Sequence, residues 1–152
     1  MYLGVSIDSE SHASINSICS NSMETVKKWA EEYDNADNAE ISWEDNMCYI
    51  EDEDYFIVSQ VFDVPAEAQY AVVFWHAYDG VDFTLIGTAK DKETALKQWY
   101  EEVAYRLSEW SYYDDDLERD ITLDDIEYDG EFVGDAGSEW EMVYVIPLTN
   151  RR

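Results

Sequence analysis

A chain of 152 residues, 46% hydrophobic and 15% aromatic, can bury a core and is too apolar for a disordered acidic tail. Its 36 acidic residues against 9 basic ones give a formal net charge of −27, so it folds against its own repulsion. That charge argues against direct binding of nucleic acid or an anionic membrane, and no apolar stretch approaches the roughly 18 to 20 residues that span a bilayer.

The elements follow in chain order. The first eight residues lack the basic start and apolar run of a signal peptide, and Tyr2 to Ile7 reads as a strand. Cys19 and Cys48 are the only cysteines, which suggests free thiols in a reducing cytoplasm rather than a disulfide framework. Ser22 is the expected N-cap of a short helix, because its hydroxyl can accept from a free amide of the first turn. The apolar face of that helix is Val26, Trp29, Ala30 and Tyr33. Residues 31–54 then hold eleven acids and no base, before an apolar run from Tyr55 to Phe62 and a joint at Pro65.

The second half begins with a strand from Tyr70 to Tyr78, rich in Val, Phe, Trp and Tyr. Tyr78, Asp79 and Gly80 supply hairpin-turn chemistry before a strand from Asp82 to Thr88. Asp91 caps a longer helix on which Ala95, Leu96, Trp99, Val103, Leu107 and Trp110 recur at spacings of three and four, defining one buried face. Residues 109–131 repeat the earlier charge, with eleven acids and Arg119 as the single base; an apolar run from Trp140 to Leu148 closes the half.

These halves match in order. Residues 26–33 and 96–103 share apolar, Lys, polar, Trp, any, Glu, Glu, apolar; residues 2–7 match 70–75, and 41–45 match 121–125. The sequence therefore predicts an α+β fold of two duplicated ββα(β)β units, each with one helix on a mostly antiparallel sheet, related by a pseudo-twofold. The expected division is 1–64 and 65–152 within one compact domain, with an acidic, tyrosine-bearing insertion at 108–120 in the second unit.

Chemistry-bearing motifs are absent. Asp125, Glu127, Asp129 and Gly130 imitate half a calcium loop, but position 12 is Ala136 instead of a bidentate Glu. His12, Cys19, Cys48 and His76 match no zinc spacing, and Gly87-Thr88-Ala89-Lys90 lacks the ending of a phosphate loop. Two isolated histidines are poor material for acid–base catalysis. The sequence thus implies no enzyme, no metal and no cofactor.

What remains is charge on a folded scaffold. Duplex DNA carries about one negative charge per 1.7 Å of axis, so a charge of −27 matches on the order of 45 Å of duplex. A globule of this length is about 40 Å across, so the chain approaches DNA in charge per length. In size, charge and lack of catalytic motifs it is similar to the small acidic antirestriction and anti-CRISPR proteins encoded by phages, and no motif assigns it to one family of them.

The expected function is a cytoplasmic nucleic-acid mimic that occupies the basic site of a host nuclease, restriction or CRISPR effector, polymerase or nucleoid protein. The alternative is an inhibitor or immunity protein that plugs a basic enzyme, such as a nuclease toxin, protease or ATPase, without imitating nucleic acid. The partner is a basic host protein, with a homodimer as a further option. The partner-binding residues expected are Glu51, Asp52, Glu53 and Asp54, and Asp114, Asp115, Asp116 and Glu118 with Tyr112 and Tyr113 at their edge, because aromatics on a charged rim anchor interfaces.

Overall fold

Both helices start where the sequence says they must. In the computed structural model, which describes residues 1–32, 39–77, 80–137 and 139–152, the Ser22 hydroxyl accepts from Thr25 N–H at 3.2 Å and opens α1 (Met23–Ala30). The Asp91 carboxylate accepts from Thr94 N–H at 2.8 Å and opens α2 (Lys92–Glu109). Each cap satisfies an amide that has no partner inside the helix. Tyr33, Tyr78 and Asp79, which figured in the predicted elements, lie outside the described residues, as do the side chains of Ser11 and His12.

The chain is α+β and divides into two units, Met1–Glu67 with Leu148–Arg152, and Ala68–Pro147. The first break falls three residues beyond the expected joint. The last five residues return to the first unit: Cys19 N–H donates to Asn150 O at 2.8 Å, and Arg152 N–H to Cys19 O at 2.8 Å.

The first unit contains β1 (Tyr2–Asp8), β2 (Ser11–Ser20), α1, β3 (Glu40–Glu44), β4 (Met47–Glu51) and β5 (Phe56–Asp63), with sheet order β2-β1-β5-β4-β3. The second contains β6 (Tyr70–Ala77), β7 (Val81–Ala89), α2, a short hairpin of β8 (Tyr113–Asp114) and β9 (Arg119–Asp120), then β10 (Glu131–Asp135) and β11 (Trp140–Pro147). Its main sheet runs β10-β11-β6-β7. In each unit the opening strand pairs with the second strand on one side and the closing strand on the other, all antiparallel.

Register fixes which residues meet the helix. In the first unit Gly4 lies between Ile18 and Val61; in the second, Val72 lies between Gly87 and Val145. A Cβ at Gly4 would come within 2.7 Å of Val26 and 2.9 Å of Trp29, so glycine lets α1 settle onto β1. Trp99, wholly buried, donates its indole N–H to Val143 O at 2.8 Å and centres a cluster with Val72, Phe74, Ala95, Val103 and Phe132.

Two tryptophan expectations need correction. Counted from their caps, Trp99 is the eighth residue of its helix and Trp29 the seventh, while the eighth residue of α1 is Ala30. Ala30 is buried and Trp29 only partly so, so the two tryptophans do not share one environment. Trp110 is 54% exposed instead of joining the buried face, because α2 ends at Glu109 and Trp110 adopts extended backbone (φ −132°, ψ 153°). The segments 41–45 and 121–125 also part company: the first lies largely in β3, and the second leads into a 3-10 turn at Leu123–Asp125.

Candidate partner-binding surface

The first predicted acidic run forms the β4–β5 turn. Asp52 N–H donates to Tyr55 O at 3.0 Å, and Asp54 N–H to Asp52 Oδ1 at 3.0 Å. Glu51, Glu53 and Asp54 are exposed, with Asp52 half-buried. Ser9 links this turn to the β1–β2 turn, donating N–H to Phe56 O at 3.0 Å and accepting from Phe56 N–H through Oγ at 3.1 Å. Acids from two loops therefore gather round Tyr55. Its phenol is pushed up by desolvation first, then by a hydrogen bond and charge from Asp8, then by Glu10 and Asp52.

The second run forms the hairpin turn between β8 and β9. Asp114 Oδ1 accepts from the N–H groups of Asp116 (2.8 Å) and Leu117 (3.1 Å), which folds the turn and leaves Asp115, Asp116 and Glu118 exposed. Glu118 adopts a left-handed φ of 54°, an uncommon conformation for a residue with a side chain. Arg119, the one base in this stretch, places both guanidinium nitrogens on Asp125, at 2.7 and 2.8 Å. Asp125 also accepts from Thr122 N–H at 2.8 Å. Arg119 and Thr122 hold its carboxyl well below the usual carboxylate range. The calcium-like spacing is thus a capping device, and Gly130 (φ 84°) serves packing, since a Cβ there would meet Val145 at 3.1 Å.

Tyr112 was expected on the rim and is instead wholly buried. Its ring lies on Gly134, where a Cβ would approach it to 2.6 Å, and meets Phe132 edge-on at 5.6 Å. Its hydroxyl donates to the buried carboxylate of Glu141. Burial first, and then Glu141, push the phenol's ionisation far up. Tyr113 points outward and is 53% exposed, as the alternation of extended chain requires. Tyr112 therefore pins the segment that displays Tyr113, and is not itself a contact residue.

Sequence reasoning missed the other exposed apolar side chains near this hairpin. Tyr105 and Trp110 are each 54% exposed and Leu117 is 44% exposed, all within a short stretch of chain that also carries the second acidic run. For Trp110 the cause is the helix end: once α2 stops at Glu109, Trp110 no longer follows the helical period.

Among the described residues, no group of three or more His, Cys, Asp and Glu is placed to hold a metal ion, and no helix is long and apolar enough to cross a membrane. Comparison with protein-family models, curated proteins and solved structures finds no match.

Proposed function

We propose that this protein is an acidic nucleic-acid mimic, which binds the basic nucleic-acid site of a host protein by charge and shape and catalyses nothing. One observation carries the reading. Glu141 is the one buried carboxylate among the described residues, while Lys28, Arg106, Arg119 and Arg152 are each tied to an acid of the same chain, Glu24, Glu102, Asp125 and Glu32. The folded units thus turn their acids outward and pair four of their nine bases internally. Such a surface attracts a basic groove, and a row of carboxylates desolvated together fixes register and speeds association. Buried thiols at Cys19 and Cys48 support a reducing compartment, the cytoplasm.

The shared strand order and cap positions support a further part of the proposal, that the two units arose by duplication of one ββα(β)β element. The acidic turns at 51–54 and 114–118 are the proposed contact sites, with Tyr113 beside the second.

The test is competition. A partner captured from host lysate at low and moderate salt should be displaced by its cognate DNA or RNA. Neutralising Glu51, Glu53 and Asp54, or Asp115, Asp116 and Glu118, to amides should each weaken binding at least about tenfold, or about 1.4 kcal/mol. Binding untouched by excess nucleic acid overturns mimicry. The exposed aromatics Tyr105, Trp110 and Tyr113 favour a second reading in that event, an inhibitor that plugs a basic enzyme through apolar anchors inside an acidic rim.

A further inference from the structure

The first unit contains a cavity of about 320 Å³ at the C-terminal end of α1. Its walls include Asp8, Asn16, Glu32, Trp29, Tyr55 and Ser6. It exists because two places filled by large side chains in the second unit hold small ones here. By count from the cap, Ala30 stands where α2 has Trp99. By strand order and register, Ser6 and its neighbour Ser59 stand where the second sheet has the pair Phe74 and Val143. The two on the sheet, Ser6 and Ser59, are polar as well as small. Ser59, whose neighbours Ser6 and Ile57 both line the cavity, is 1% exposed, and its hydroxyl has no hydrogen-bond partner among the described residues. A space left only by poor packing would be apolar and dry.

The lining specifies a ligand class. Among the described residues it carries two carboxylates and no lysine or arginine, beside two aromatic rings and two amides. Asp8 Oδ1 accepts from Glu10 N–H at 2.9 Å, and the Tyr55 phenol also bonds to Asp8, so this carboxylate is held in place. Planar cations suit such a site, since carboxylates take a guanidinium's N–H groups while aromatic rings take its face. The protein shows both contacts already. In the second unit Arg106 lies 3.7 Å from the centroid of Phe74, the counterpart of Ser6, and pairs with Glu102 at 3.0 Å. Of the cavity's own carboxylates, Glu32 is met by Arg152 at 3.6 Å.

We propose that this cavity is a socket for a guanidinium group, and that an arginine of the basic partner fills it. The second clause rests on the reading of a basic partner given above; the first does not. The cavity adjoins the acidic β4–β5 turn through Tyr55, so an arginine drawn to that turn has a place to seat.

Two cations of equal charge, N-acetyl-argininamide and N-acetyl-lysinamide, test the socket when titrated against the intact protein by NMR. The arginine compound should shift Trp29 and Tyr55 resonances with single-site saturation and at least fivefold higher affinity than the lysine compound. Asp8→Asn keeps the oxygen that accepts from Glu10, and with Glu32→Gln should weaken binding at least fivefold. Ala30→Leu, which fills the space, should abolish it. Equal, non-saturating shifts by both cations, or indifference to all three substitutions, would show diffuse attraction to an acidic surface and overturn the socket. With a captured partner, Asp8→Asn and Glu32→Gln should weaken the complex at least fivefold; unchanged affinity there overturns the seating of a partner arginine. Loss of nucleic-acid competition with the socket intact would remove mimicry alone.

Discussion

In the first unit an eight-residue helix rests on a glycine of β1, and the space past its last turn is lined in part by serines. In the second, an eighteen-residue helix lies over Val72 and Phe74, and the equivalent space is filled by Trp99 and Arg106. The glycines have moved too. Gly4 on β1 admits Val26 and Trp29, whereas Gly87 on β7 admits Gln98 and Gly134 on β10 admits Tyr112. One strand order therefore supports two packings. Sheet pairing through backbone bonds sets the frame, and side-chain volume decides whether the frame is filled or left open.

The strongest test of that contrast is Trp99→Ala against Trp29→Ala, by urea denaturation. Trp99→Ala should cost about 3–5 kcal/mol, as a buried aromatic that leaves a void, and Trp29→Ala less than half as much. Equal losses would break the comparison.

Next come the seats under the aromatics. Gly134→Ala and Gly4→Ala should each cost about 1–3 kcal/mol, because the added methyl meets fixed rings or a buried valine. Gly87→Ala should cost less, since it meets the end of the flexible Gln98 side chain, which can shift at the expense of its bond to Thr88 O. Tyr112→Phe removes the donor to Glu141 and should cost about 1–3 kcal/mol; adding Glu141→Gln should recover part of that loss.

Ser22→Ala should cost about 1 kcal/mol. Because α1 is short, that loss should appear as faster amide hydrogen exchange confined to the first unit, which sharpens the contrast with the longer α2.

The smallest effect concerns pH. Asp125 is held below its ordinary range by Arg119 and Thr122, so its contribution is full above the unfolded carboxylate value and fades as pH falls through the lowered native one. The wild type should exceed Asp125→Asn in melting temperature at pH 7, with the gap closing as pH falls below the ordinary carboxylate range. The first unit's hydrogen exchange should not respond to this substitution.

Local features of both units were legible in the sequence. Ser22 and Asp91 act on amides three residues away, and the Ala95, Trp99 and Val103 face follows from helical spacing alone. The acidic turns lie where composition placed them. Tyr112 was misread because its seat is Gly134, on a strand distant in sequence, and nothing near Tyr112 signals that glycine. Trp110 was misread because periodicity does not announce where a helix stops. The cavity was out of reach for a related reason: Ser6, Ala30 and Ser59 are unremarkable singly, and only register brings them to one place.

The return of Leu148–Arg152 to the first unit has a consequence for how the chain reaches its native state. The second unit is continuous in sequence, while the first is completed by residues synthesised after it. Until those residues arrive, β2 is a sheet edge with Cys19 N–H and C=O unpaired on its open side; the tail supplies both partners. During translation the nascent first unit therefore presents a pairing-competent strand for the whole time the second unit is being made. Closure joins Ser17 and Asn150, 133 residues apart in sequence, yet Pro147 pairs with Tyr70 once the second unit has folded, so that unit shortens the loop left to close.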